Sequence, residues 1–409
     1  MTAEIAVMNK NGIALAADSA VTVAGRKVYN SANKLFTLSK HHPIGVLIYG
    51  SADMNGIPWE LIIKEFREQL GKTEYDSIDE YGTHFQQFLR KPLWNITEQM
   101  QLRNAQLMLN SFSQFFHSLY VKNNDGKNPS KYEEVAFNKT CKDIESLLNL
   151  KGKQNKEGAY DLSSYNLNQQ LNLIFQEGRI NISREYIEQM LKLFSKLLEE
   201  ETSFFDNVSG IAIAGYGKKD IYPSIFSFET TGFIGNKLRL GTQQTARITE
   251  ENNALVCPFA QREMSNLFME GIHPNCKQFL LSQLKLLMDK LAEDVVKRVQ
   301  PDDEGKQIQE SFSMIYQDFV NNTNKFCLGN FTSPRLNSIA NLSKKELGKM
   351  AESLVELHVL GKQVSLEVET VGGPVDVAVI SKHDGFIWLK RKLYFKPELN
   401  PCFFDKYLK

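Results

Sequence analysis

No stretch of this sequence stays apolar for the roughly 18 to 20 residues that a membrane helix needs. Its start, MTAEIAVMNKNG, has neither the basic nor the apolar region of a signal peptide. A membrane span and export are not expected, and the expected compartment is the cytoplasm. Charge of one sign is lacking too: Lys plus Arg and Asp plus Glu are 48 each, so no overall field draws the chain to nucleic acid or anionic lipid. The five cysteines (Cys141, Cys257, Cys276, Cys327, Cys402) contain no CxxC pair, which argues against a zinc site or redox couple and for a reducing environment. The seven histidines are scattered, with only His41 and His42 adjacent, so no metal set is expected, and no cofactor. Gly215-Tyr216-Gly217 lacks the GK[ST] of a phosphate loop and reads as a turn. No nucleophile elbow or cysteine-protease signature is present.

What is present is a chain of 409 residues, 42% hydrophobic and 23% charged, a balance that allows a large core and excludes wholesale disorder. EIAVM and GIALAAD, separated by the turn-prone Asn9-Lys10-Asn11-Gly12, read as a hairpin. Lys34 to Leu38 and Gly45 to Gly50 read as a second strand pair. Beyond Gly56 the apolar period becomes 3.6: Trp59, Ile62, Ile63, Phe66 and Leu70 share a face, and Gly71 ends it. Similar stripes cover 85–119 and 183–198, interrupted by a polar stretch near 122–158 that reads as an exposed insertion. Strands return at 209–214 with 221–228, helix dominates from Pro258 to Leu360, and strand again from Val364 to Trp388. Strand blocks at both ends and in the middle, with helices grouped between, predict an α+β fold in which helices cover two packed sheets. One domain over 1–409 is as economical as two.

Thr2 carries the first chemical signal. A small residue after the initiator Met permits its removal, which leaves a threonine whose hydroxyl and α-amine share one residue. The amine, with an ordinary pKa near 8, is partly neutral at physiological pH and can take the hydroxyl proton directly or through water. A tolerated second residue is the bland alternative. Asp18 ends the strand GIALAAD and Lys34 opens NKLFTL. A Lys ammonium near the N-terminus lowers the pKa of the neighbouring amine and hydroxyl, and an Asp paired with that Lys keeps it charged and fixed. A surface salt bridge between strand ends is the alternative.

Thr2, GIALAADSAVT with Asp18, NKLFTL with Lys34, and VLIYGSAD together resemble the N-terminal-nucleophile (Ntn) hydrolases of the proteasome β-subunit and HslV type. SGIAIAGYGKKDIYPSIFSFETTGF and VGGPVDVAVISKHDGFIW resemble that family's central and last hairpins. The resemblance implies a four-layer αββα sandwich of two antiparallel sheets, here with helical insertions at about 57–205 and 245–360. It implies threonine endopeptidase activity: Thr2 as nucleophile, Asp18 and Lys34 as electrostatic support, and Gly50 as backbone donor to the oxyanion, with Tyr49 or Ser51 if the register shifts by one. Ala20, Val21 and Thr22 resemble the segment that pairs with an extended peptide substrate. The implied partners are a polypeptide substrate, further copies in a homo-oligomeric ring, and an ATPase or unfoldase.

Two departures stand out. The family's Asp and Ser before the final Gly-Gly are replaced by Leu366-Glu367-Val368-Glu369-Thr370-Val371, and its serine at the start of the third helical layer is missing from 250–264. Thr370, Gln261 or water would then shuttle protons. The alternatives are a small-molecule amidase with the same nucleophile and a catalytically silent assembly or binding subunit.

Overall fold

The computed structural model describes residues 3–23, 27–126, 130–151, 160–199, 205, 207–298, 304–365 and 371–402. In chain order the strands and helices are β1 (Glu4–Asn9), β2 (Gly12–Ala17), β3 (Val21–Val23), β4 (Lys27–Tyr29), β5 (Leu35–Thr37), β6 (Ile44–Gly50), β7 (Asp53–Met54), β8 (Ile57–Pro58), α1 (Trp59–Leu70), α2 (Ile78–Leu89), α3 (Glu98–Asn123), α4 (Glu134–Lys151), α5 (Leu167–Glu177) and α6 (Arg184–Glu199). There follow β9 (Ser209–Gly215), β10 (Ser224–Ile234), β11 (Lys237–Arg247), β12 (Ala254–Pro258), α7 (Glu263–Glu270), α8 (Pro274–Arg298), α9 (Glu304–Cys327), α10 (Ser333–Ile339), α11 (Lys344–Gln363), β13 (Asp376–Ser381) and β14 (Gly385–Lys390). The fold is α+β with two five-stranded sheets, and it divides into two compact units.

The first unit holds 1–32, 248–381 and 387–409. Its sheet runs β12-β1-β2-β13-β14, with β1 antiparallel to β12 and β2, and β13 antiparallel to β2. β1 and β2 are buried at every position, which accounts for their unbroken apolar runs. On this sheet α11 lays Leu347, Ala351, Leu354 and Val355 against Ile5, Val7, Ala14, Ala16, Val377 and Val379. A capping box starts α11: the Ser343 hydroxyl accepts from the Glu346 N–H while Glu346 accepts from the Ser343 N–H.

The second unit holds 33–247 and 382–386. Its sheet runs β11-β10-β9-β6-β5, antiparallel throughout. The predicted stripe of α1 and the aromatic face of α2 (Tyr81, Phe85, Phe88) cover Val46, Ile48, Ile211, Ile213, Phe226 and Phe228. A second cluster, rich in Phe and Tyr, is built from α3 to α6.

Here the polar stretch near 122–158 departs from its expected character. Its described part includes α4, whose Phe137 and Ile144 pack with Tyr132 into that aromatic cluster. The segment spaces few apolar residues among many polar ones, and those few suffice for an amphipathic helix. The helical stretch expected from 245 also begins with strand, because β11 runs to Arg247 and β12 lies on the edge of the first sheet beside β1. Among the described residues no helix is long and apolar enough to cross a membrane.

Candidate active site

Asp18 directly follows β2, where the Glu4 to Ala17 pairing brings the start of the chain alongside. Its side chain is wholly buried. A carboxylate removed from water needs protein donors in place of the lost water, and Asp18 has three from the backbone: Ala3 N–H donates to Oδ1 at 3.0 Å, Ala20 N–H to Oδ2 at 3.1 Å and Gly372 N–H to Oδ2 at 3.0 Å. The Asp18 N–H donates in turn to the Ala3 carbonyl at 3.1 Å. The neighbouring Ser19 extends the clamp, with its N–H on the Gly372 carbonyl at 3.0 Å and its hydroxyl on the Pro374 carbonyl.

Thr2 lies outside the described residues, as does Thr370. Ala3 is buried, and the N–H that Asp18 holds belongs to the peptide bond joining Thr2 to Ala3. Asp18 thereby fixes the backbone immediately after Thr2. Ala20 is buried, and Val21 and Thr22 lie in β3, which pairs with β4 as a two-stranded ribbon.

Lys34 and Gly50 belong to the second unit, at the same end of the β5–β6 pair. Lys34 is buried and its carbonyl accepts the Ile48 N–H at 2.9 Å. N–H directions alternate along a strand. Ile48 N–H points to the Lys34 side, and Ser51 N–H is taken by the Val208 carbonyl at 2.9 Å on the β9 side. By that alternation the Gly50 N–H points to the Lys34 side and the Tyr49 N–H to β9. Gly50 has φ +78°, and a Cβ there would sit 2.1 Å from the Val208 carbonyl oxygen, so neither conformation nor space admits a side chain.

A further pair escaped the sequence. Ser265 in α7 and His358 in α11 are both buried, and His358 Nε2 receives the Ser265 N–H at 3.2 Å with the Ser265 hydroxyl 2.9 Å away. A ring nitrogen that accepts a backbone N–H carries no proton, so the imidazole proton is on Nδ1 and the hydroxyl donates to Nε2. Burial holds the His358 pKa down to about 4, against a smaller upward pull from the Asp18 charge. Ser265 lies one residue beyond the stretch 250–264 that lacks a serine. Gln261 is buried, and burial pushes the Cys257 thiol up to about 11, which keeps it protonated and a poor nucleophile near neutral pH. Among the described residues no group of His, Cys, Asp and Glu is arranged to hold a metal ion.

No protein-family model matches the sequence, and no curated protein matches it. Solved structures do. The chain is similar to Anbu from Hyphomicrobium sp. strain MC1, at 8% identity and TM-score 0.28, over 99% of this chain and 94% of that one. It is similar to the Gly-1 mutant of that Anbu, at 10% identity and TM-score 0.27 with the same coverage. Anbu (ancestral beta-subunit) from Yersinia bercovieri matches at 9% identity and TM-score 0.27, again over 99% and 94% of the two chains. These similarities overturn the resemblance to proteasome β-type subunits and HslV: the structures found are Anbu proteins instead.

Proposed function

We propose that the chain is an N-terminal-nucleophile hydrolase of amide or peptide bonds, with Thr2, freed by removal of Met1, as the nucleophile. The observation that carries this is the buried Asp18 carboxylate, which holds the N–H of the Thr2–Ala3 peptide bond at 3.0 Å. A fully buried carboxylate spent on three backbone N–H groups is a costly way to hold a chain terminus, and it is understandable if the residue before Ala3 must be placed precisely for chemistry.

In the proposed reaction the Thr2 hydroxyl oxygen forms a bond to the substrate carbonyl carbon while its proton passes to the Thr2 α-amine. The Gly50 N–H receives the developing oxyanion. Lys34 lowers the pKa of the amine and hydroxyl, and Asp18 supports the site electrostatically. The C–N bond breaks as the leaving nitrogen takes the proton, and water then hydrolyses the Thr2 ester. Removing one oxyanion donor typically costs about 100-fold to 1,000-fold in rate. A polypeptide is the preferred substrate because Ala20, Val21 and Thr22 offer backbone next to the Asp18 clamp, in the manner of strand addition.

The test is intact mass before and after treatment with a peptide epoxyketone, which requires a free amine and a hydroxyl on one residue. Met1 should be absent, and an adduct should form with the wild type and not with Thr2→Ala. Retained Met1, or an adduct that persists in Thr2→Ala, sinks the proposal.

A further inference from the structure

In the first unit α8 and α9 lie side by side, and a cavity of about 430 Å³ is lined by Lys277 from the start of α8 and by Asn324 and Cys327 from the end of α9. The two helices are therefore antiparallel. They have 25 and 24 residues, so each is about 37 Å long at 1.5 Å per residue. Leu281, Leu284, Met288 and Ala292 form the covered stripe of α8, and Ile308, Phe312, Tyr316 and Val320 that of α9.

A second apolar row flanks each stripe, and it is uncovered. On α8 it is Leu280, Leu287 and Leu291, and on α9 it is Ile315, Phe319 and Phe326, all between 43% and 59% exposed. At 100° per residue each set of three falls within about 40° of arc, turned about 85° on α8 and about 60° on α9, in the same sense, from the mean direction of the inner stripe of its helix. Two antiparallel helices that face each other are related by a two-fold axis perpendicular to their plane, and the same sense of rotation then puts both rows on one side of the hairpin. Side chains of this size, about half exposed, leave on the order of 500 Å² of apolar surface on that side. Phe279, Leu286 and Met314, exposed on the outer edges, extend it toward the roughly 800 Å² per partner of a stable interface.

The charge of the hairpin narrows the choice of partner. The two helices carry seven basic and six acidic residues, so they neither attract an anionic polymer or lipid surface nor repel a copy of themselves. A contiguous apolar patch of this size marks an interaction surface, and a flat apolar side on a near-neutral antiparallel hairpin is matched in shape and chemistry by the same side of another hairpin.

We propose that the face bearing Leu280, Leu287, Leu291, Ile315, Phe319 and Phe326 docks on the same face of a second copy of this chain, closing a two-fold four-helix bundle. Docking of this kind does not depend on Thr2 chemistry, and either can hold without the other.

The test is sedimentation of the full chain over a dilution series, with Leu287→Glu/Phe319→Glu as the variant and Ile221→Glu as the control, since Ile221 is 73% exposed and lies in the second unit. Wild type and control should dimerise or assemble further, and the double variant should need at least about tenfold higher concentration to do so, because each Glu would be buried against apolar side chains. A wild type that stays monomeric throughout, or a double variant that assembles like wild type, overturns the proposal. Should the double variant unfold, Cys276 of the wild type keeps the proposal testable. It is exposed and lies one helical turn before Leu280 on the same side. Its alkylation should slow as concentration rises, and a concentration-independent rate overturns the docking.

Discussion

Asp18 and Ala3 exchange hydrogen bonds in both directions: the Ala3 N–H donates to Asp18 Oδ1 at 3.0 Å and the Asp18 N–H donates to the Ala3 carbonyl at 3.1 Å, with both residues buried. An amide cannot reproduce this. In Asp18→Asn one oxygen becomes an NH₂ group, which faces either Ala3 N–H or the pair from Ala20 and Gly372, so at least one buried donor loses its acceptor. The expected cost is about 1–3 kcal/mol for a single orphaned N–H, read from the urea midpoint, together with slower epoxyketone labelling of Thr2. An unchanged midpoint would show that the clamp is not structural.

The Ser265–His358 pair makes a pH prediction. His358 has its folded pKa lowered to about 4 by burial, below the ordinary value of 6.5. Between those values the unfolded chain binds a proton that the folded chain does not, so stability rises with pH across that window. It is fully present above pH 6.5, falls as the pH drops toward 4, and changes no further through this group below that. The full effect is on the order of 3 kcal/mol. Urea midpoints measured from pH 7 to 4 should show a steeper loss in wild type than in His358→Gln, which has no imidazole to charge. Parallel curves would assign the acid sensitivity elsewhere.

The sequence made β1, β2, β5, β6, β9 and the first helix legible, because those elements depend on local periodicity, but not β11 or β12. The apolar face from Trp59 to Leu70 is the observed α1, ended by Gly71, and the run to Gly50 is the observed β6. Asp18 was singled out by its place after β2, but not the three N–H groups it binds, since Gly372 lies 354 residues away. His358 was invisible for a related reason: it sits in a helix, and its partner lies 93 residues earlier in the chain. The amphipathic α4 was obscured by the density of Asn and Lys around it, where only packing against Tyr132 and Phe116 shows that Phe137 is buried.

Arg239 is buried beneath α6, where its Nε–H donates to the Leu198 carbonyl at 3.0 Å and its guanidinium lies 5.1 Å from the Phe205 ring centre. Burial lowers its pKa to about 10, so it stays charged at neutral pH and serves the carbonyls at the end of α6. Arg239→Ala removes the donor and the packed stem together, and is expected to cost about 3 kcal/mol in urea unfolding. Loss of protection in amide hydrogen exchange should concentrate in α6. A cost below about 1 kcal/mol would mean that water replaces the guanidinium without penalty.

Gly50 and Gly56 separate conformational strain from steric exclusion. Both have positive φ, at +78° and +87°, but a Cβ at Gly56 meets nothing within 4 Å whereas one at Gly50 lies 2.1 Å from the Val208 carbonyl oxygen. Gly56→Ala therefore carries only the left-handed backbone penalty, about 1 kcal/mol. Gly50→Ala carries that penalty and must also push β6 away from the start of β9, where Gly50 pairs with Ser209 and Ser51 N–H reaches Val208. Its expected cost is about 3 kcal/mol or more. If the Gly50 N–H is the oxyanion donor, the same displacement lowers the rate of Thr2 acylation while Gly56→Ala leaves it near wild type. Equal urea midpoints for the two variants would contradict the close approach of Gly50 to Val208, and equal acylation rates at unequal stability would remove Gly50 from the reaction.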